Sequence, residues 1–122
     1  MKLCGQRWCN MLLDSDITRL QHMVEAIEEI LEFVRGHNRQ TLTNDRPLQH
    51  LIVRNLEILG EAASRISQQC RNEHPEIPWR EMIDLRNRLI HVYFDLNLNI
   101  IWNSVQQDLP ELLPQLNALL RV

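Results

Sequence analysis

Apolar side chains recur at intervals of three and four residues along most of the chain, and this spacing limits what it can fold into. A helix of about 3.6 residues per turn places such positions on one face. The clearest stripe is Ile17, Leu20, Val24, Ile27, Leu31 and Val34. No alternating strand pattern, internal repeat or low-complexity tract is present in the sequence. The sequence therefore predicts an all-α fold.

The stripes predict an antiparallel up-and-down bundle of four to five helices. Their approximate extents are residues 17–34, 47–69, 79–94, a helix that starts at Asp95 or Asn97, and 110–120. The inner stripe of the second helix is Leu48, Ile52, Leu56, Leu59, Ala63 and Ile66. A polar connection over 37–46 and a loop over 70–78 are short, and short connections make neighbouring helices antiparallel. A chain of 122 residues fits one domain, which we place at residues 14–122, with 1–13 as an N-terminal extension of unknown role.

Single residues are expected to shape these helices. One of the polar residues 14–16 can cap the first helix, Gly36 can end it, and Pro110 suits the first turn of the last helix. Pro114 is expected to bend that last helix slightly. Gly60 lies inside the second helix, where it costs about 1 kcal/mol relative to alanine. The expected reason for this glycine is the close approach of another helix.

The composition excludes several classes of protein. At a formal net charge of −3 the chain is not a general nucleic-acid coat, so any contact with RNA needs a local basic site. The longest apolar runs have three residues, too few to span a membrane. The first dozen residues lack the apolar stretch of a secretory signal. We therefore expect a cytoplasmic protein without membrane association.

The cysteines favour free thiols. Their number is odd, at Cys4, Cys9 and Cys70, which argues against a disulfide framework. The Cys4–Cys9 and Cys70–His74 pairs have spacings near those of zinc ligands, and a bundle can bring them together. Such short pairs are common by accident, so we expect neither a metal nor a cofactor.

One charge falls where the apolar stripe of the third helix should lie. On a helical wheel Arg86 stands between Met82 and Leu89 on one side and Ile83 and Ile90 on the other. An unpaired buried charge costs several kcal/mol. Two solutions remain open: an ion pair with Glu57 or Glu61 of the second helix, or a cleft or subunit interface that opens onto this face.

A polar strip that contains Asn87 and His91 adjoins Arg86, and these two residues are one turn apart on the same face. A histidine can give or take a proton near neutral pH. An arginine stays charged and offers a planar fork to phosphate oxygens. A lone helix histidine is nevertheless more often a hydrogen-bonded surface residue than a catalyst.

The segment from Arg86 to His91 reads R-x4-H with a polar residue after the arginine, and Tyr93 extends the pattern to R-x4-H-x-Y. This pattern resembles the signature of HEPN ribonucleases in the form seen in HepT-like toxins. Residues 53–63, 75–80 and 102–110 also resemble segments of that family, and the resemblance covers roughly residues 15–120. The departures lie outside the motif, at residues 1–13, at Gln49 and His50 in place of an acidic-alanine pair, and at Pro114.

The resemblance implies a HEPN-like bundle that acts as a metal-independent endoribonuclease and forms a homodimer. Arg86, Asn87 and His91 would be its catalytic residues, RNA its substrate, and no cofactor would be needed. The resemblance further implies a toxin that is neutralised by a partner, a minimal nucleotidyltransferase antitoxin that adenylylates Tyr93. The alternative is a non-catalytic HEPN module that binds a nucleotide or a partner protein. A structural bundle without a site is a third possibility, which requires Arg86 to be ion-paired inside the bundle.

Overall fold

The computed structural model of the protein describes residues 12–91 and 98–121, without the side chains of residues 90 and 91. Over these residues the chain is helical and forms no strand, which confirms the predicted all-α bundle. A π-helical segment, Ser104–Asp108, joins the last two helices. The α-helices are α1 (Asp14–Val34), α2 (Arg39–Thr43), α3 (Arg46–Ser64), α4 (Gln68–Glu73), α5 (Trp79–His91), α6 (Leu98–Asn103) and α7 (Leu109–Leu120). In the described part of the chain, no helix combines the length and the apolar character needed to cross a bilayer.

The long helix α3 packs against both α1 and α5, and α1 also packs against α7. Every residue of the stripe predicted for α3 is buried in the core. The stripe predicted for α1 is incomplete, because Met23, Ala26 and Ile30 are buried as well. A helix that faces two neighbours buries a wider arc than a single stripe. The core therefore lies on both sides of α1 and α3.

The connection predicted over 37–46 contains the short helix α2. It begins with a capping box, in which Asn38 Oδ1 accepts from the Thr41 N–H at 2.9 Å and Thr41 Oγ1 accepts from the Asn38 N–H at 2.8 Å. The sequence predicted a polar connection here and did not predict this short helix. These polar residues satisfy the first N–H groups of a helix as readily as those of a turn.

The second predicted helix ends early, at Ser64, and a separate helix, α4, extends into the predicted 70–78 loop. Arg71 stabilises the break by donating hydrogen bonds to the carbonyls of Ala63 at 3.2 Å, Ser64 at 2.9 Å and Ile66 at 3.2 Å. Ser67 caps α4 by accepting from the Cys70 N–H at 3.1 Å. The apolar stripe continues across the break, which explains why the sequence pattern indicated one helix.

Asp16 does not cap α1, although the sequence made it a candidate. The N-cap position is Leu13, which makes no side-chain cap. Asp16 is buried and instead accepts hydrogen bonds from the Ser67 N–H at 2.8 Å and the Ser67 hydroxyl at 2.6 Å. Its carboxylate therefore ties the start of α1 to the start of α4. A contact across 51 positions leaves no local signal in the sequence.

The predicted helix ends at glycine and proline are confirmed. Gly36 follows α1 with a φ of +81°, a left-handed conformation that favours glycine. Pro110 lies in the first turn of α7. Pro114 lies inside α7, where it removes one helical hydrogen bond, and the slight bend expected there stays a prediction.

Gly60 is the point of closest approach between α3 and α5. An added Cβ would lie 2.8 Å from the Met82 carbonyl oxygen and would overlap the Cβ of Arg86. This confirms the predicted reason for a glycine inside the helix. It also places Arg86 directly opposite α3.

We expect Gly60→Ala to destabilise the protein by about 1–3 kcal/mol, the usual cost of overpacking, although alanine is the better helix former. Chemical denaturation measures this loss. Gly36→Ala is the control, because no atom lies within 4 Å of an added Cβ there and only backbone strain is introduced. The control should leave the backbone NMR shifts of α5 unchanged, whereas Gly60→Ala should move them. Unchanged stability in Gly60→Ala would contradict the close approach.

Candidate functional site

Arg86 extends from α5 at its contact with α3, beside the space that Gly60 leaves. Its neighbours on the helix, Met82 and Leu89, are buried as the wheel predicted. One fifth of the Arg86 side chain remains exposed, at 20%. The guanidinium therefore lies at the edge of the helix interface and not in the core.

Glu61 supplies the counter-charge. Arg86 Nη1 donates to Glu61 Oε1 across the α3–α5 contact, and Arg65 Nε donates to Glu61 Oε2 at 2.8 Å. Of the two partners that the sequence left open, Glu57 and Glu61, the structure selects Glu61. The Glu61 side chain is 46% exposed, so the ion pair reaches the surface. This ion pair within the chain is the one that the third possibility, a structural bundle without a site, required of Arg86, so the pair alone does not decide between that possibility and a functional site.

The pKa of the Glu61 carboxyl lies below its ordinary value. The hydrogen bond from Arg65 is the main cause, and the positive charges of Arg65 and Arg86 act in the same direction against partial desolvation. Glu61 is therefore ionised at neutral pH. The group formed by Arg65, Glu61 and Arg86, which we call the Arg-Glu-Arg trio, carries a formal charge of +1.

Asn87 holds the guanidinium from the other side. Its Oδ1 accepts from Arg86 Nε at 3.2 Å and from Arg86 Nη2 at 2.8 Å. The resemblance implied that Asn87 is a catalytic residue, and the sequence did not predict this contact. Adjacent residues on a helix usually point apart, so spacing alone cannot reveal it.

Arg86 has two donors for which the described residues supply no acceptor. A guanidinium has five N–H groups, and Glu61 and Asn87 accept from three of them. The other two have no acceptor among residues 12–91 and 98–121. A guanidinium that is fixed on two edges and open on another is arranged to bind an anion such as a phosphate.

His91 is the last residue of α5, one turn beyond Asn87 and five positions beyond Arg86. Its backbone position keeps it on the face of Asn87. Its side chain lies outside the described part of the structure, and so does the whole of Tyr93. The roles predicted for these two residues stay predictions.

Of the two residue pairs with zinc-like spacing, which we did not expect to bind a metal, the structure describes only one. Cys4 and Cys9 lie outside the described residues, whereas Cys70 is a buried free thiol and His74 Nδ1 lies 3.6 Å from Glu76 Oε2. Burial raises the pKa of Cys70 to about 11, and the charges of Asp16 and Glu73 add to the effect. A thiol that is protonated at neutral pH is a poor metal ligand. No three histidine, cysteine or acidic side chains converge as metal ligands within the described residues.

Comparison with known proteins identifies the family. The profile of the family described as Ribonuclease HepT-like matches residues 23–119, which include Gly60, the Arg-Glu-Arg trio and the R-x4-H-x-Y motif. The chain belongs to the HepT-like ribonuclease family. The resemblance inferred from the motif is thereby confirmed. No solved structure matches the chain significantly.

Several relatives of this HepT-like chain carry ribonuclease names. A Thermococcus cleftensis protein named "Probable ribonuclease HepT" is 42% identical over 93 residues, which cover 76% of this chain and 84% of the relative. A Caldanaerobacter subterraneus subsp. tengcongensis protein named "Putative RNase" is 35% identical over 102 residues, which cover 84% of this chain and 91% of the relative. A "Putative RNase" of Methanocaldococcus jannaschii is 33% identical over 93 residues, which cover 76% and 85% of the two chains.

We expect the pKa of Glu61 to rise in Arg65→Gln and to rise less in Arg86→Gln, because the Arg65 hydrogen bond lowers it most. Carbon NMR of the Glu61 carboxyl measures both changes. A carboxyl whose pKa is lowered by folding stabilises the native state above its unfolded pKa. That contribution is lost as the pH falls below 4.5, the ordinary value of the group.

The control for this titration is Arg54→Gln. Arg54 lies on α3 but forms no hydrogen bond or ion pair with Glu61 in the described structure. Its loss should leave the pKa of Glu61 nearly unchanged. If Arg65→Gln moves the pKa no further than this control, the geometry of the trio is wrong.

Proposed function

We propose that the protein is a metal-independent endoribonuclease whose catalytic residues are Arg86, Asn87 and His91. One observation carries the proposal: the Arg86 guanidinium is fixed at the edge of the helix interface by Glu61 and Asn87, and no described residue accepts a hydrogen bond from its other two N–H groups. The family and the ribonuclease names of the relatives support RNA as the substrate.

These groups suit cleavage of RNA by its own ribose 2′-hydroxyl, which attacks the neighbouring phosphodiester. His91 takes the proton of that hydroxyl, the 2′-oxygen bonds to phosphorus, and the bond from phosphorus to the 5′-oxygen breaks. The leaving 5′-oxygen takes up a proton, which leaves a 2′,3′-cyclic phosphate and a 5′-hydroxyl. Arg86 balances the negative charge that grows on the non-bridging oxygens.

The Arg-Glu-Arg trio is the local basic site that an acidic chain needs in order to contact RNA. The chain as a whole carries a formal charge of −3, whereas the trio carries +1 at the point where a phosphate would bind. Arg65 shares the Glu61 carboxylate with Arg86, so Glu61 does not fully neutralise either guanidinium. An approaching phosphate therefore meets a net attraction.

We propose that the active form is a homodimer. Arg86 and His91 lie five residues apart on one helix, so they point in different directions and make a poor site alone. A two-fold axis would bring two such pairs into one cleft. Half-buried Ile58 and Ile83, one turn before Glu61 and Arg86, provide apolar area for the interface. Light scattering at micromolar concentration tests this, and a monomer would contradict it.

Purified protein should cleave RNA in the presence of EDTA. Arg86→Ala and His91→Ala should each lower the rate by about 10²–10⁴, the usual effect of losing a charge stabiliser or an acid–base group. Both variants should remain folded, which circular dichroism measures, because the ion pair that Arg86→Ala removes is partly exposed.

His22→Ala and His37→Ala are the matched controls, because both histidines are exposed and lie on or just after α1. They should cleave at the rate of the unmodified protein. Undiminished cleavage by His91→Ala would contradict the mechanism. RNA binding without cleavage, abolished by Arg86→Ala, would instead support the alternative of a non-catalytic HEPN module.

We further propose that the protein is a cytoplasmic toxin that a minimal nucleotidyltransferase antitoxin neutralises by adenylylating Tyr93. Family membership supports this partner. Tyr93 follows Arg86 by seven residues, which is about two helical turns and would place both on one side of a continuous helix. Each AMP adds a phosphate, for which the unused N–H groups of Arg86 are a suitable partner. An AMP bound there would block the position of the RNA phosphate.

Tyr93→Phe removes only the acceptor oxygen, so it should retain RNA cleavage and escape neutralisation by the transferase. Intact-mass spectrometry after incubation with the transferase and ATP should show AMP on the original protein and none on the variant. Equal adduct formation on Tyr93→Phe would show that the assignment of Tyr93 is wrong.

A further inference from the structure

A groove runs between α5 and the segment formed by the π-helical turn and the start of α7. From α5 it is lined by Glu81, Asp84, Leu85 and Arg88. A helical wheel places these four positions on the side of α5 away from Arg86. These four positions are therefore separate from Arg86, although Asp84 lies seven residues, about two turns, before His91 and so shares its side of the helix.

The floor of the groove is apolar and its rim is acidic. Along the floor lie the buried side chains of Leu59, Met82, Leu109 and Leu112. The charged residues of the rim are Glu76, Glu81, Asp84, Arg88, Asp108 and Glu111. Five carboxylates and one guanidinium give the groove a formal charge of −4, which exceeds in magnitude the −3 of the whole chain.

The fold leaves most of these carboxylates without a counter-charge. Glu76 has His74 at 3.6 Å. Within the described residues, no ion pair involves Glu81, Asp84, Asp108 or Glu111. Like charges gathered in a concave site raise the negative potential there, and a cationic partner would gain from it.

A polar side chain that lines the groove has no hydrogen-bond partner among the described residues. Ser104 is only 8% exposed and lines the groove, and no described residue hydrogen-bonds to its hydroxyl. The hydroxyl is not sealed from solvent, since no fully buried polar side-chain atom is left unpaired. Ser104 begins the π-helical segment Ser104–Asp108, and such segments frequently occur at functional sites.

We propose that this groove is the docking site for a partner protein that inserts an amphipathic helix bearing lysine or arginine beside large aliphatic side chains. The aliphatic groups would cover the apolar floor, and the cations would pair with the rim, as in other helix-in-groove complexes. The Ser104 hydroxyl would bond to a polar group of the inserted helix.

The negative charge of the groove argues against RNA, anionic lipid or a second copy of this chain as its occupant. RNA and anionic lipid would bring phosphates to a rim of formal charge −4. A second copy of this chain would bring a molecule whose own net charge is −3. Docking here does not depend on the proposed ribonuclease activity, because the groove and Arg86 lie on opposite sides of α5.

The test uses the full chain and a fluorescently labelled peptide of leucine and lysine, amphipathic and about four helical turns long. A second peptide, with glutamate in place of lysine, is the negative control. Fluorescence anisotropy should show binding of the lysine peptide alone. The triple variant Glu81→Gln, Asp108→Asn, Glu111→Gln should weaken this binding about tenfold, as expected for three partly exposed charge pairs.

The matched variant is Glu25→Gln, Glu28→Gln, Glu29→Gln, which removes three carboxylates from the exposed face of α1. It has the same net charge as the groove variant and should bind the peptide almost as well as the original chain. Circular dichroism should show that both variants are folded. Both should cleave RNA at the original rate if the chain is a ribonuclease, so a failure of that proposal is seen separately.

Several results would overturn the proposal. Equal weakening in the two triple variants would mean attraction by net charge alone. If the lysine peptide does not bind, or if the glutamate peptide binds equally well, charge complementarity does not select the occupant of the groove. Binding of a labelled RNA or of anionic lipid vesicles that only the groove variant loses would assign the groove to that occupant instead.

Discussion

The contact between α3 and α5 brings a guanidinium against a helix, and the site depends on how that charge is balanced. Gly60 has no side chain, so α5 approaches closely and the stem of Arg86 packs on the α3 backbone. The next residue, Glu61, is then within reach of the guanidinium. Complete burial of the Arg86–Glu61 pair would cost more free energy in desolvation than the attraction between the two charges regains. Both side chains keep part of their surface in water, which lowers that cost.

The geometry of the ion pair between Arg86 and Glu61 determines how many donors of Arg86 it occupies. Glu61 uses one carboxylate oxygen for Arg86 and the other for Arg65. A bidentate pair with Arg86 alone would have occupied more of its donors. Asn87 takes the Nε edge, and the result is a fixed cation that still has N–H groups to offer. A lysine at this position would have neither the planar fork nor the second edge.

The sequence predicted those features that follow from local spacing. The inner stripe of α3, the glycine after α1 and the placement of Arg86 in an apolar arc all follow from helical periodicity and backbone preference. The contacts of Asp16 with Ser67 and of Arg71 with the end of α3 did not, because they depend on how distant segments meet. The same applies to the Asn87–Arg86 hydrogen bond, which needs a particular rotamer and not a particular spacing.

The sequence predicted the ion-pair partner of Arg86 only in part. The sequence reduced it to Glu57 or Glu61, and Gly60 could have decided between them, because the glycine marks where α5 comes closest. The roles proposed for His91 in catalysis and for Tyr93 as AMP acceptor rest on the motif, since the structure describes neither side chain. Membership of the HepT-like family gives the motif its weight, because a pattern of three fixed residues is too short to identify an activity alone.

Helix α5 separates two surfaces of opposite charge. One carries the Arg-Glu-Arg trio at +1, and the other lines a groove at −4. At physiological ionic strength charges are screened over about 8 Å, so each surface acts mainly on what lies directly against it. RNA would then be drawn to the trio and kept from the groove, while a cationic protein would be drawn to the groove. The close contact at Gly60 that positions Arg86 therefore also fixes the helix that carries Glu81 and Asp84 of the acidic rim.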